Sequence, residues 1–137
     1  MEECIFCAIA AHRAPGSLVY EDDSSLAFLD LHPLTRGHTL VIPREHCANI
    51  FELSDAAGQA VMRTAVKVAG ALRGALNPDG LNLLQSNGHA AGQRVWHFHF
   101  HLVPRWSRDG LFLPAQPPRQ ADREDLNALA AALHAHL

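Results

Sequence analysis

The 137-residue chain has little net charge, few cysteines and no long apolar run. Its formal charge is −3 with the histidines neutral. There is thus no bulk positive field to draw nucleic acid, and any phosphate must be held locally. No stretch approaches the length needed to cross a bilayer, and the N-terminus lacks the basic, apolar and small-residue succession of a signal peptide. No repeat and no linker divides the sequence. The three cysteines, Cys4, Cys7 and Cys47, are an odd number, which argues against a secreted disulfide scaffold and for a reducing cytoplasm. With 48% hydrophobic and 18% charged residues, disorder is excluded. The length suits one domain, residues 1–137, with its own core.

Histidine, by contrast, is abundant. There are ten, three of them at alternate positions in the run Trp96-His97-Phe98-His99-Phe100-His101-Leu102-Val103-Pro104. On a β-strand successive side chains point to opposite faces. The pattern therefore predicts a strand with His97, His99 and His101 on one face and Phe98, Phe100 and Leu102 in the core on the other. Imidazole serves as nucleophile, acid–base group or metal ligand near neutral pH. Neighbours at i and i+2 stand roughly 6.5 Å apart along a strand, so three rings cannot share one atom. His99, with a ring on either side, is the natural reactive centre. The plain alternative is a strand whose outer face merely carries polar rings.

Residues 4–12 read as a short helix ended by Pro15-Gly16. Leu18–Glu21 and Leu26–Asp30 read as strands around a turn, and His38–Ile42 as a third with Pro43 at its end. Ser54 is the expected N-cap of a long helix, with Ala57, Val61, Ala65, Val68, Leu72 and Leu76 as its stripe. Asn77-Pro78-Asp79-Gly80 stops it. Leu81–Ser86 makes a fourth strand. Residues 107–121 read as an irregular, proline-containing tail, and a final helix opens near Asp122 with Leu126, Leu129, Leu133 and Leu137 along one face. The sum is an α+β fold: an antiparallel sheet of about five strands, one long central helix and short terminal helices.

Three further groups of residues bear chemistry. In the loop Asn87–Arg94, Asn87, Gln93 and the glycines supply amide and backbone N–H donors that hold phosphate without a basic patch; Gly88 and Gly92 serve turn geometry equally well. The spacing Cys4-x-x-Cys7 bites one zinc ion, but a tetrahedral structural site needs two more ligands. His12, His46 and the triad histidines are the candidates, and two reduced thiols packed in a helix are the other reading. Redox activity lacks a thioredoxin-like βαβ context. Cys47 reads as a simple thiol. Phe28 and Asp30 share a strand face, suited to a base and a ribose diol, although an aspartate at a strand end is also a turn former.

The run Val95–Val103 spells histidine–apolar–histidine–apolar–histidine–apolar–apolar. Cys4-Ile5-Phe6-Cys7, Ala27-Phe28-Leu29-Asp30, Gly37-His38-Thr39-Leu40-Val41-Ile42-Pro43, Asn87-Gly88 and Gly92-Gln93 accompany it in order. Together they closely resemble the histidine-triad (HIT) superfamily of nucleotide hydrolases and transferases, in particular its short Hint-type branch in the bacterial form with a cysteine pair. The resemblance spans a motif-bearing core, residues 4–106; the tail and C-terminal helix over 107–137 match no motif. It implies a HIT-like fold in a cytoplasmic homodimer that takes purine nucleotides as substrate and binds neither nucleic acid nor membrane. It implies hydrolysis of purine nucleoside 5′-phosphoramidates or related derivatives at the α-phosphate, through a nucleotidyl-histidine intermediate on His99. In that scheme His101 and His38 line the phosphate site and Asn87 and Gln93 are its amide donors, Gln93 polarising phosphate or steering water. Asp30 takes the ribose hydroxyls, and Phe6, Phe28 and Leu31 form the base pocket. Cys4, Cys7, His46 and His97 make a closed Cys₂His₂ set for structural zinc. One position departs: Arg94 stands where many members carry a small hydroxyl residue, leaving it to meet a second phosphate or solvent, and His89 is equally open. Two other readings use the same residues, a dinucleoside polyphosphate hydrolase and a nucleotide-binding or zinc-stabilised interaction module with incidental catalysis.

Overall fold

The computed structural model describes residues 3–113 and 118–137; the first two residues of the expected domain and the middle of the 107–121 tail lie outside the described residues. The elements run α1 (Ile5–Ala10), β1 (Leu18–Glu21), β2 (Ser25–Leu29), β3 (Thr39–Pro43), α2 (Asp55–Leu76), β4 (Gly80–Leu84), a 3₁₀ turn (His89–Ala91), β5 (Phe100–Arg105) and α3 (Arg123–His134). The sheet order is β1-β2-β3-β5-β4, and every neighbouring pair is antiparallel. The α+β class, the strand number and the long helix match the expectation from sequence.

Local signals account for α2. Ser54 Oγ accepts from the Ala57 N–H at 3.1 Å, satisfying one orphan donor of the first turn. Asn77 takes a left-handed cap at φ 47°, and its N–H donates to Arg73 O. Between these ends Ala57, Val61, Ala65, Val68 and Leu72 are buried. Of these, Val61, Ala65, Val68 and Leu72 pack on Ala27, Leu29, Val41, Phe98 and Leu102 from one face of the sheet and on Leu126, Leu129 and Leu133 of α3. Each valine or leucine among them contributes about 1.5–3 kcal/mol when fully buried.

On the opposite face Leu26, Phe28, Leu40 and Ile42 alternate with those residues and meet Phe6, Ile9 and Ala10 of α1. Every residue of β2 and β3 is therefore buried, which is why both read as continuous apolar runs. The histidines lie on this α1 face, beside β3. Among the described residues, no helix is long and apolar enough to cross a membrane.

The structure corrects several expected boundaries. β2 ends at Leu29, so Asp30 lies just past the strand, although its N–H still donates to His38 O. β4 spans Gly80–Leu84 instead of Leu81–Ser86. Leu137 lies beyond α3 and is exposed, so the stripe of that helix ends at Leu133. The largest correction concerns the histidines. The chain bends through residues 95–97, β5 starts only at Phe100, and the Phe98 N–H donates to Cys47 O at 2.8 Å rather than to a neighbouring strand. His97 and His99 thus precede the strand, and His101 alone lies within it. The division of side chains survives the bend, because Phe98 and Leu102 are drawn into the apolar layer under α2 while the Phe6 ring meets His97 and His99.

Gly37, at φ +87°, turns the chain into β3 immediately before His38. A Cβ there would lie 2.6 Å from Leu76 Cδ1 and 3.1 Å from Leu72 Cδ2, adding overpacking to a backbone region unfavourable for L-residues. Gly37→Ala is expected to destabilise the chain by about 1–3 kcal/mol, read as a lowered midpoint in urea unfolding; an unchanged midpoint would show that this turn repacks freely.

Candidate functional site

Two chains of hydrogen bonds set the protons of the imidazoles on the α1 face; the tautomers below are assigned from each ring's partners. The first chain begins in the loop before β3. The Leu34 N–H donates to His38 Nδ1 at 3.0 Å, so Nδ1 holds a lone pair and Nε2 carries the proton. His38 Nε2–H faces His101 Nδ1 at 2.9 Å and Asp30 Oδ2 at 3.5 Å. The shorter contact is an ordinary hydrogen bond and the longer is at the limit. Because His101 Nδ1 accepts, the His101 proton resides on Nε2. The second chain is a single bond: His99 Nδ1–H donates to His97 O at 2.7 Å. A carbonyl only accepts, so His99 Nε2 is left with its lone pair. The His99 and His101 ring centroids are 4.8 Å apart. One ring therefore offers a nucleophilic nitrogen and its neighbour an N–H donor.

Burial keeps these rings neutral. His101 is pushed down to about 3 by desolvation and by repulsion from His99 and His38. Desolvation also lowers His38 and His99, with the Asp30 carboxylate pulling the other way. A neutral imidazole near pH 7 retains the lone pair that a nucleophile needs.

The flanking residues divide more sharply. Phe6 meets Phe28 edge-on at 5.3 Å and His99 at 5.2 Å, a wall of aromatic edges beside the His99 ring. Leu31 packs instead against the apolar layer under α2, so the structure brings Phe6 and Phe28 together and leaves Leu31 apart. Asp30 Oδ1 accepts from the His32 N–H at 2.8 Å while Oδ2 faces His38. Gln93 is buried, with Nε2 donating to Ala48 O at 2.6 Å and Val95 O at 3.0 Å and Oε1 accepting from the Gly88 N–H at 2.8 Å. An amide has two hydrogens, and both are committed to the loop. Asn87 forms a reciprocal amide pair with Gln85, and its Oδ1 also accepts from the Ile50 N–H at 2.8 Å. The His89 ring meets Trp96 at 4.9 Å, and Arg94 is exposed.

A second cluster lies at the N-terminal end of α1. Cys4 Sγ stands 3.4 Å and Cys7 Sγ 3.5 Å from His97 Nδ1; His46 Nδ1 stands 3.3 Å from both Cys7 Sγ and His97 Nδ1. A tetrahedral zinc ion at about 2.3 Å from sulfur and about 2.0 Å from nitrogen spaces its ligands about 3.3–3.5 Å apart along such edges. The donor atoms fit that ion. His97 Nε2–H donates to Pro43 O at 2.8 Å, which turns the Nδ1 lone pair into the cluster, the arrangement expected of a ligating histidine. Four protein ligands leave no open position, which suits a structural ion. Of the sequence candidates, His12 is elsewhere, on Glu21 at 2.9 Å; Cys47, read from sequence as a simple thiol, is buried in the core under α2. Without a cation, burial and the neighbouring Cys4 thiol push Cys7 up to about 11, and burial pushes His97 down to about 4; a dication in the set reverses the thiol's preference.

Three participants had no signal in the sequence: the Leu34 N–H, the Pro43 carbonyl and the Cys47 carbonyl. All are main-chain groups, which any residue type supplies.

The family profile described as HIT domain matches residues 11–108. The protein named hit of Bacillus subtilis (strain 168) is 46% identical over 107 residues, covering 78% of this chain and 74% of that protein. A Schizosaccharomyces pombe protein named adenosine 5′-monophosphoramidase is 40% identical over 117 residues, 83% of this chain and 85% of its own length. An Arabidopsis thaliana protein named adenylylsulfatase is 35% identical over 137 residues, 98% of this chain and 70% of its own. Among solved structures, a HIT-like protein of Bartonella henselae superposes with a TM-score of 0.88 at 34% identity, covering 97% of this chain and 95% of that one. A zinc-bound histidine triad family protein of Mycobacterium smegmatis gives 0.82 at 39% identity, over 95% and 92%. With its fold and most of its length shared with these proteins, the chain belongs to the HIT domain family.

Proposed function

We propose that this chain is a nucleotide hydrolase that cleaves purine nucleoside 5′-phosphoramidates or related nucleotide derivatives at the α-phosphorus, with His99 as nucleophile. The observation that carries this reading is the His99 Nδ1–H bond to His97 O at 2.7 Å, which leaves Nε2 unprotonated in a buried site. The relatives named adenosine 5′-monophosphoramidase and adenylylsulfatase support the same class of substrate, since both names describe derivatives of an adenosine 5′-phosphate unit.

In the first step His99 Nε2 attacks the α-phosphorus. The bond to the leaving nitrogen breaks with its electron pair, and that nitrogen takes a proton from solvent. The resulting nucleotidyl-imidazolium keeps Nδ1–H on His97 O, which stabilises the new positive charge. Water then attacks phosphorus, the P–Nε2 pair returns to His99, and the nucleoside monophosphate leaves with loss of one proton from the water. His101 Nε2–H, its tautomer set by His38, is the donor for a phosphate oxygen. Asp30 takes the ribose, and Phe6 and Phe28 form the base wall. Gln93 acts indirectly, by holding the loop of residues 85–95 in shape, because both its amide hydrogens are engaged there, whereas Asn87 spends one amide hydrogen on Gln85 and has a second to offer a phosphate oxygen.

The ligand spacing also supports a structural zinc on Cys4, Cys7, His46 and His97, as does the zinc-bound relative. Bound there, the ion supplies a covalent cross-link and no reacting position.

His99→Ala is expected to lower turnover of adenosine 5′-phosphoramidate by about a thousandfold or more while AMP still binds; retained turnover would remove His99 as nucleophile. Metal analysis of reduced protein purified without chelator is expected to find about one zinc per chain. Protein with both thiols free and no metal would remove the zinc assignment.

A further inference from the structure

The bond that orients His99 is physically continuous with the four-ligand cluster. The His97–Phe98 peptide carries two contacts: its C=O accepts from His99 Nδ1–H at 2.7 Å, and its N–H donates to Cys47 O at 2.8 Å. A peptide group is planar and moves as one unit, so whatever holds His97 and Cys47 holds the acceptor of His99. His97 is held at both ring nitrogens, Nε2 on Pro43 O and Nδ1 toward Cys4, Cys7 and His46. Cys47 follows His46 directly in the chain. From the other side α1 brings Cys4 and Cys7 and, between them, Phe6, whose ring lies edge-on to His97 at 6.0 Å and to His99 at 5.2 Å. A helix of six residues is too short to hold its own shape in water. Three of the four ligands, Cys7, His46 and His97, are thus residues, or chain neighbours of residues, that bear on the His99 ring or its acceptor, and Cys4 caps the helix that carries Phe6.

Resting on the zinc set and the role of His99 given above, we propose that His97 and Phe6 are positioning residues that couple the Cys4–Cys7–His46–His97 set to the nucleotide site. Closing the set on a divalent cation aligns the His97 carbonyl on His99 Nδ1–H and seats Phe6 against the reactive ring. The competing view is a local staple that pins the N-terminal helix and leaves His99 indifferent. The two differ in thermodynamics, because coupling between two sites is reciprocal: what the metal does for nucleotide affinity, the nucleotide must do for metal affinity.

The test uses AMP and zinc as probes and needs no turnover. AMP affinity is measured by calorimetry on zinc-loaded and metal-stripped protein, and zinc affinity by chelator competition with and without AMP. Adenosine, which lacks the phosphate, controls for direct chelation of zinc by the nucleotide. The expected result is a loss of AMP affinity of about tenfold on stripping, a rise of equal factor in zinc affinity when AMP is present, and ¹⁵N ring signals of His99 that change from one Nδ1-protonated tautomer to a mixture. Unmoved AMP affinity and unmoved His99 signals, in stripped protein whose backbone spectrum stays folded, would overturn the proposal. If stripping unfolds the chain, His46→Ala provides the same comparison by removing the exposed ligand. Phe6→Leu keeps all four ligands and is expected to shrink the factor; a coupling as large as wild type would remove Phe6 from it. A chain that binds AMP in neither form would count against the hydrolase reading, and the His99 ring signals would then decide the coupling by themselves.

Discussion

The arrangement on the α1 face depends on one hydrogen bond, from His99 Nδ1–H to the carbonyl of His97. An imidazole has two nitrogens and one proton in its neutral form, so fixing the proton on one fixes the lone pair on the other. That bond requires a bend through residues 95–97, because in a regular strand the His97 carbonyl would point sideways into the ladder. The bend is held from outside: the Phe98 N–H finds Cys47 O, and His97 Nε2–H finds Pro43 O. Two backbone carbonyls far away in sequence therefore decide which nitrogen of His99 keeps its lone pair.

The sheet gives these contacts a fixed frame. β2 and β3 are buried on both faces, with α2 and α3 over one and α1 with the imidazoles over the other. The apolar layer under α2 supplies stability and leaves the other face for polar groups that must be paired. They are paired: among the described residues, no buried side-chain nitrogen or oxygen lacks a partner. His38 illustrates the economy of this arrangement. It is almost wholly buried, its Nδ1 is satisfied by the Leu34 N–H, and its Nε2–H passes the tautomer on to His101.

Much of this was legible from residue order. The period of α2, its Ser54 cap and its stop at Asn77 all carried local signals, and the α+β class followed from them. The aromatic–histidine alternation correctly separated Phe98 and Leu102 from the imidazoles. It misjudged the backbone, because alternate burial also arises in a bent segment when each side chain has a separate partner waiting on its own side. Gln93 shows a different limit. Its type and place suggested a phosphate donor, yet both amide hydrogens are spent on Ala48 O and Val95 O. Side-chain identity names the donors a residue owns and says nothing of who receives them. Leu31 makes a similar point: two residues past the strand, its side chain packs on the α2 side of the sheet, away from Phe6 and Phe28.

By itself, the order of residues determined which chemistry was available: a row of imidazoles, a thiol pair with metal-ligand spacing, an aromatic and a carboxylate at the end of one strand. These are properties of side chains and short spacings, and they need no long-range information. The division of the three histidines was implied by the family resemblance, and only the tertiary structure decided which contacts enforce it. His97 turns to Cys4, Cys7 and His46, His101 joins His38, and His99 keeps a free nitrogen. That division rests on main-chain partners, some distant in sequence (Pro43 O for His97, Cys47 O for the Phe98 N–H) and some local (His97 O for His99, the Leu34 N–H for His38), and main-chain groups are the same in every residue.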